Sequence, residues 1–355
     1  MSTPPRIAIV GAGIVGSAIA YFLALRGVSV TLIDTDGPGT GVTGRAFGWI
    51  NVALTDPDGP AALFKHRVIQ DYRRLDDRLG GRLDIAWNGA LSWDDAPSAT
   101  EVRFRHLDGA GHVVRLVDGA EVARLEPALS NPPSCAIFAP EDGMMRPGLA
   151  ARVLATAACE AGAVLRLGHP VEALDPLPGD GMRLRLAGEG LDFDRVVLAA
   201  GTAVTRLAAP LGLTLPVTPS PCILARFRTP GPMLNRIVET PGFEARCETP
   251  GRLVAAESYI DDSPENGPEA VSARLRSELA AGIRGGDRLV LDSVVVGVRP
   301  MPTGRGPIVG RAPDLPSLYI AAMHPGVILA ATIGELAAQD ILDGAVPNAL
   351  RSLVP

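Results

Sequence analysis

Residues Ile7 to Asp34 read IAIVGAGIVGSAIAYFLALRGVSVTLID. The β-branched run Ile7, Ile9 and Val10 predicts a buried strand that enters Gly11-Ala12-Gly13-Ile14-Val15-Gly16 directly. A helix to Arg26 follows, and a second apolar run, Val28 to Ile33, ends on the acid Asp34. Strand, glycine turn, helix, strand and terminal acid form the layout in which G-x-G-x-x-G holds a dinucleotide. There Gly11 permits the tight turn, Gly13 lets the backbone approach a pyrophosphate, and Gly16 lets helix and strand pack closely. The phosphates would meet free N–H groups at the helix start, and Asp34 would accept hydrogen bonds from the ribose hydroxyls. The uncharged run Ile7 to Leu25 nearly reaches the length of a membrane span, but three glycines divide its first half into a strand and a turn. No small-residue cleavage site follows a basic start and an apolar core, so no secretory leader is expected.

At 355 residues the chain exceeds the usual size of a single core, which predicts two interleaved domains. A net charge of −6 leaves no basic footprint for nucleic acid or an anionic membrane. Lys65 is the only lysine, so arginine supplies nearly all the basic charge, a skew that fits GC-rich coding better than a binding role. Cys135, Cys159, Cys222 and Cys247 are scattered, with no C-x-x-C pair and no histidine at ligand spacing. A reduced, cytoplasmic protein without a metal site is the expectation.

Further along, a Gly/Thr-rich loop runs from Gly37 to Asn51. An amphipathic helix is predicted from about Pro60 to Leu79, with Leu63, Phe64, Val68, Tyr72 and Leu75 near helical spacing. Residues 83–140 read as short strands and turns, including Val102 to Leu107, with a brief helix at Gly119 to Leu125. A helix from Gly148 to Ala161 leads into a strand at Ala163 to Leu167, whose edge Val171 to Leu174 continues. Strands at Arg183 to Leu186, Leu191 to Phe193 and Arg195 to Gly201 follow, the last a buried strand ending on glycine. Val217 to Val298 is strand-rich, with one helix near Pro268 to Ile283. Leu318 to Ala322 is a strand, and Val327 to Leu342 a helix stopped by Gly344. The fold class is therefore α/β: a discontinuous Rossmann-like nucleotide domain (1–80, 141–215, 299–355) interleaved with a β-rich α+β substrate domain (81–140, 216–298). That alternation points to FAD lying extended along a discontinuous domain.

These residues resemble the FAD-dependent D-amino acid oxidase superfamily, which holds glycine oxidase, sarcosine oxidase and D-amino acid dehydrogenases. Gly11 to Asp34 looks like its FAD fingerprint, and Gly41 to Ile50 resembles the loop that crosses the flavin. Gly143 to Leu149 is similar to its helix entry, and Val196 to Gly201 to its V-V-L-A-A-G strand. Gly297-Val-Arg299-Pro300 to Gly310, then Leu318 to Gly326, is like its C-terminal tail. The resemblance implies FAD contacts at Thr43, Gly44, Arg45, Ala46 and Gly48, a backbone contact at Val171, and further contacts at Ala200, Gly201, Gly326, Val327 and Ile328. Departures are Asp34 in place of the commoner glutamate, Ala46 in place of a polar residue, Gly304-Arg305-Gly306, and the turn His324-Pro325-Gly326. Arg299 to Gly310 lacks the cysteine that tethers flavin in sarcosine oxidases, so FAD is expected to be non-covalent.

The implied reaction oxidises the CH–NH bond of a small amino acid or N-substituted amino acid to an imine, by hydride transfer to flavin N5. The flavin does the hard chemistry and the protein positions and tunes. Arg299, at the family's carboxylate-binding position, would hold the substrate carboxylate through two parallel hydrogen bonds; pairing with a structural acid is the alternative. His324 either lines the flavin edge or packs its turn, and the following helix start would stabilise negative charge on the reduced ring. Tyr259 either covers the substrate or packs in its strand. Phe47 and Trp49 shape the ring's surroundings, or Trp49 belongs to the core. Oxygen, or a quinone or other electron carrier, would be the acceptor. The rivals are an FAD-dependent 2-hydroxy acid enzyme of the same fold and a flavin subunit of a larger complex.

Overall fold

The computed structural model describes residues 4–51, 63–64, 66–258, 261, 263–304 and 306–355. The chain begins with β1 (Arg6–Val10), α1 (Ile14–Ala24) and β2 (Ser29–Asp34). After a 3-10 turn at Val42–Arg45 come β3 (Trp49–Ile50), α2 (Val68–Arg78), β4 (Ala90–Ser92) and α3 (Pro97–Gly109). Then follow β5 (Arg115–Asp118), α4 (Gly119–Leu125), β6 (Cys135–Ala139), β7 (Gly143–Met144) and α5 (Pro147–Glu160). The middle continues with β8 (Val164–Leu167), β9 (Val171–Leu177), β10 (Gly181–Leu186), β11 (Glu189–Phe193), β12 (Arg195–Leu198) and α6 (Ala203–Ala208). Next are β13 (Val217–Arg228), β14 (Ile237–Glu239), β15 (Glu244–Thr249), β16 (Arg252–Ser258) and α7 (Pro268–Gly282). The chain closes with β17 (Val290–Pro302), β18 (Ile308–Ala312), β19 (Leu315–Ala322) and α8 (Gly326–Asp343).

Two sheets organise the molecule. The first has the order β18-β19-β12-β1-β2-β8 and is parallel except for β18. Its inner strands are near-continuous apolar runs, as a sheet covered on both faces requires. Helices α1, α5 and α8 cover one face, where Ile7, Ile19, Leu154, Leu329 and Ile333 are buried together. The small antiparallel sheet β9–β11 and α6 cover the other. The second sheet, β17-β13-β16-β15-β14-β4-β6-β5, is antiparallel apart from the β14–β4 pair. Its far face buries Ile223, Phe227, Leu253, Leu275 and Leu279 under α7. β17 runs without a break across residues 298 and 299.

Two glycines explain why the first turn folds only with this sequence. Gly11 has φ +104°, and a Cβ there would lie 2.5 Å from the Ala199 carbonyl oxygen. A Cβ on Gly16 would lie 1.9 Å from the Gly11 carbonyl oxygen, so α1 meets its strand with no room for a side chain.

Three expectations need correction. Val102 to Leu107 is not a strand but part of α3. The alternation of Val102, Phe104 and His106 suggested period two, yet Thr100 and Leu107 are the buried positions and Phe104 packs beside them, which is helical spacing. Val102 itself is exposed. Val171 to Leu174 does not continue the edge formed by β8; β9 leaves that sheet and pairs antiparallel with β10. The helix expected from Pro60 is described only from Val68, and Leu63 is exposed. Residues 52–62 and 65 lie outside the described residues, as does Tyr259.

Candidate active site

A cleft of about 1220 Å³ lies between the carboxyl edge of the parallel sheet and one face of the eight-stranded sheet. The chain leaves β1 toward β2 on one side and later places β12 on the other, so the crevice at β1 and β12 is a topological switch point, where α/β sheets hold ligands. Gly11, Gly13, Ile14, Val15, Asp34, Thr43, Arg45, Ala46 and Gly48 line the cleft. Val171, Ala200, Gly201, Arg299, His324, Gly326, Val327 and Ile328 line it too. Ala12, Gly16 and Gly44 are not among the lining residues. The sequence-read segments, far apart in the chain, therefore converge on one place.

The N-terminus of α1 opens into this cleft with no acid in its first turn. Its first amides have no intrahelical acceptor; the Ile14 N–H reaches Thr43 Oγ1 at 3.2 Å. Asp34 fastens the turn, accepting from the N–H of Ala12 at 2.7 Å and from those of Asp36 and Gly37 at 3.0 Å each. A carboxylate has about four acceptor sites, so capacity for a further donor remains. The positive end of α8 also faces the cleft, again with no acid in its first turn. Tyr72 on α2 fixes it by donating to the Val327 carbonyl, and Thr332 Oγ1 donates to Asp71 Oδ2 at 2.7 Å.

The donor set and the shape fit FAD. A Cβ on Gly13 would touch only Thr43 Oγ1, and one on Gly41 or Gly201 would touch nothing within 4 Å, so the cradle is open where a ligand must approach backbone. Two helix N-termini meet in the one cleft, suited to pyrophosphate and to an electron-rich ring.

On the opposite wall, Arg299 projects from β17. Its Nη2 donates to Ser220 Oγ at 2.9 Å and to the Pro221 carbonyl at 3.5 Å, and its Nε to the Ser220 carbonyl at 3.5 Å. Among the described residues no acid forms an ion pair with it. Burial, with the Arg299 charge nearby, pushes His324 down to about 4, so its imidazole is neutral at ordinary pH. Cys222 donates its thiol to the Gly297 carbonyl at 3.4 Å, and burial raises the thiol's pKa.

Sequence reasoning missed two arginines that hold the Gly41–Ile50 loop. Arg246, 2% exposed, donates from Nε to the Phe47 carbonyl at 2.7 Å and from Nη2 to the Met145 carbonyl at 2.8 Å. Arg226 donates to the Gly44 carbonyl at 3.2 Å while Glu248 accepts from its Nε. The available signal was Glu244-Ala-Arg246-Cys-Glu248, where charges occupy every second position of a strand whose other face is buried.

Trp49 lines the cleft with its ring and buries its Nε1, which donates to Asp142 Oδ2 at 2.8 Å. Burial, reinforced by Glu141 and Glu239, pushes Asp142 up to about 8. A raised carboxyl pKa contributes stability that is complete below the unfolded value, near 4, and is lost as pH rises through about 8. Asp142→Asn keeps an acceptor for Trp49 and removes this loss. Calorimetry at pH 5 and pH 8 should find the variant gaining on the wild type as pH rises, by up to about 1.4 kcal/mol per pH unit. Parallel melting curves across that range would contradict the assignment.

A model of the DAO family, described as FAD-dependent oxidoreductases, matches residues 6–340. The chain belongs to this family. As a family member it is an oxidoreductase that depends on FAD. Glycine oxidase of Geobacillus kaustophilus (strain HTA426) is 26% identical over 352 residues, 94% of this chain and 91% of that protein. Glycine oxidase of Bacillus licheniformis is 26% identical over 348 residues, 95% of this chain and 93% of that protein. The crystal structure of glycine oxidase from Geobacillus kaustophilus superposes with a TM-score of 0.88 at 24% identity, covering 99% and 98% of the two chains, a likeness of fold. Among the described residues of this family member, no helix is long and apolar enough to cross a membrane.

Proposed function

We propose that this protein oxidises the CH–NH bond of a carboxylate-bearing amine to an imine, which water hydrolyses to a keto acid and ammonia or an amine. The observation that carries the reading is Arg299, a cleft-lining arginine without an acid partner among the described residues. Bound in the cleft, FAD supplies the two-electron acceptor for the hydride leaving the substrate carbon.

The chain's own residues supply position and field. Arg299 fixes the substrate carboxylate by a two-point contact, with Ser220 Oγ holding the guanidinium in place. Neutral His324 adds no cation to compete for that carboxylate. The amine must arrive unprotonated to release a hydride from the neighbouring carbon, so no general base is required of the protein. The α8 N-terminus, which opens into the cleft, would stabilise negative charge developing on the bound cofactor. Gly13 and the α1 amides would hold the pyrophosphate of FAD, Asp34 its ribose, and the Val171 backbone its adenine. Residues 1–80, 141–215 and 299–355 form the cofactor unit in this reading, and 81–140 and 216–298 the substrate unit. FAD is held without a covalent bond, and the protein works in the cytoplasm.

The test is product analysis with a panel of amino acids, N-substituted amino acids and 2-hydroxy acids, supplied with oxygen or a dye acceptor. Keto acid should appear in step with ammonia or amine. Turnover of the hydroxy acids alone would transfer the same arginine to alcohol oxidation and overturn the proposal. Acid precipitation should release free FAD into the supernatant; flavin remaining on the pellet would contradict non-covalent binding.

A further inference from the structure

Glu244 opens β15 and lines the same cleft as Arg299. Strand register fixes their relation. Glu244 pairs with Ala256, Ala256 with Leu224, and Leu224 with Val295. Paired residues share a face, as do residues two and four apart on one strand. Val295 and Arg299 are four apart on β17, so Glu244 and Arg299 project from one face of the sheet. The opposite face carries Ile223, Ala225, Ala245 and Ala255, packed into the core under α7.

The other acids of this wall have partners. Glu239, paired with Glu244 across β14 and β15, holds Arg103 at 3.4 Å. Glu257, which pairs with Ile223 of the opposite face, accepts the Ser258 N–H through Oε1 at 3.1 Å, and Glu248 holds Arg226 at 3.2 Å. Among the described residues the Glu244 carboxyl accepts no hydrogen bond and forms no ion pair, and Glu244 lines the cleft. Three steps between strands of about 4.8 Å and four residues of about 3.3 Å separate the Glu244 and Arg299 backbones, roughly 20 Å on a flat sheet. Both side chains shorten this, and the guanidinium acts on the carboxyl across the gap. A substrate held by Arg299 presents to Glu244 the part of it that extends along this face toward β15.

We propose that Glu244 binds a second cationic group, an ammonium or guanidinium, carried by the substrate several bonds from the carboxylate that Arg299 holds. The substrate class is then a basic-tailed amino acid or N-substituted amino acid, longer than the small amino acid suggested by sequence. This rests on the amine-oxidising reading of the cleft. The electrostatics support it. Burial, then the Glu239 and Glu257 carboxylates, push Glu244 up to about 8 against the pull of Arg246 and Arg299. A carboxylate in that setting ionises readily only when a cation is delivered to it.

Calorimetric titration of the holoenzyme with 6-aminohexanoate and with hexanoate tests this without turnover, since neither probe has an α-amine. The ammonium probe should bind at least about tenfold more tightly, the range of a charged hydrogen bond. Its advantage should grow from pH 7 to pH 9, where Glu244 ionises while an ordinary ammonium, with a pKa near 10.4, stays charged. Glu244→Gln should erase the advantage and leave hexanoate binding within about twofold, which also shows that the variant is folded. Equal binding of the two probes by the wild type, or a preference that survives Glu244→Gln, overturns the proposal. The ammonium preference found in a protein that releases no amine from any substrate would support the cation subsite and refute amine oxidation instead.

Discussion

Arg299→Leu is expected to leave a folded protein that still binds FAD but no longer oxidises carboxylate-bearing amines. The guanidinium holds no acid among the described residues, and its only partners there are Ser220 and Pro221, so its removal frees one hydroxyl and two carbonyls at the cleft surface. Folding should change little. A substrate carboxylate deprived of its partner in a desolvated pocket loses about 2–5 kcal/mol, or roughly 30- to 5,000-fold in kcat/KM. Arg299→Lys should recover only part of this, because a point charge cannot reproduce a two-point fork. Both variants are read by steady-state kinetics, with the flavin spectrum as the control for folding. Activity within about twofold of the wild type in Arg299→Leu would remove Arg299 from substrate binding.

The second large effect is at Gly13. Its φ of −64° and ψ of 175° suit any residue, and a Cβ there meets only Thr43 Oγ1, at 3.2 Å. Gly13→Val should therefore fold, yet place its methyl groups where a pyrophosphate must approach the α1 amides. Losing two charge-assisted hydrogen bonds corresponds to about 3–4 kcal/mol, or roughly 100- to 1,000-fold in FAD affinity. The melting temperature of the FAD-free protein should stay near that of the wild type. The rise on adding FAD should vanish, about 2.7 kcal/mol of stabilisation when ligand stands at 100 times Kd. Gly16→Val is the contrasting case: its Cβ would collide with the Gly11 carbonyl, so folding itself should fail. Undiminished FAD binding by Gly13→Val would displace the pyrophosphate from this turn.

The parts legible in sequence are those whose meaning is local. Gly11, Gly13, Gly16 and Asp34 lie within one strand–helix–strand unit, and their spacing alone draws the turn. Helix α4 announces itself through Asp118, whose side chain accepts the Glu121 N–H at 2.8 Å, and α7 through Pro268 at its first turn. Helix α3 carries the same signal in Pro97, but Val102 and Phe104 mimic a strand's alternation and mask it. The substrate wall is less legible for a different reason. Arg299 stands out through its G-V-R-P context, whereas Glu244 and Arg246 sit in a strand with no motif. What they face depends on β13, β16 and β15 lying side by side, a long-range pairing that no local spacing encodes. The Gly41–Ile50 loop is a similar case. Its sequence suggested flavin contact, but the arginines that fix its carbonyls come from residues 226 and 246.

The cleft unites an FAD cradle with a carboxylate anchor, and that union is most directly tested by an anaerobic titration of the purified protein's visible spectrum. Amines bearing a carboxylate should bleach the flavin absorbance of the wild type. The same amines lacking the carboxylate should not, and Arg299→Leu should show the full flavin spectrum without bleaching. A protein that takes up no FAD, or a flavin bleached equally by amines with and without the carboxylate, would contradict the account.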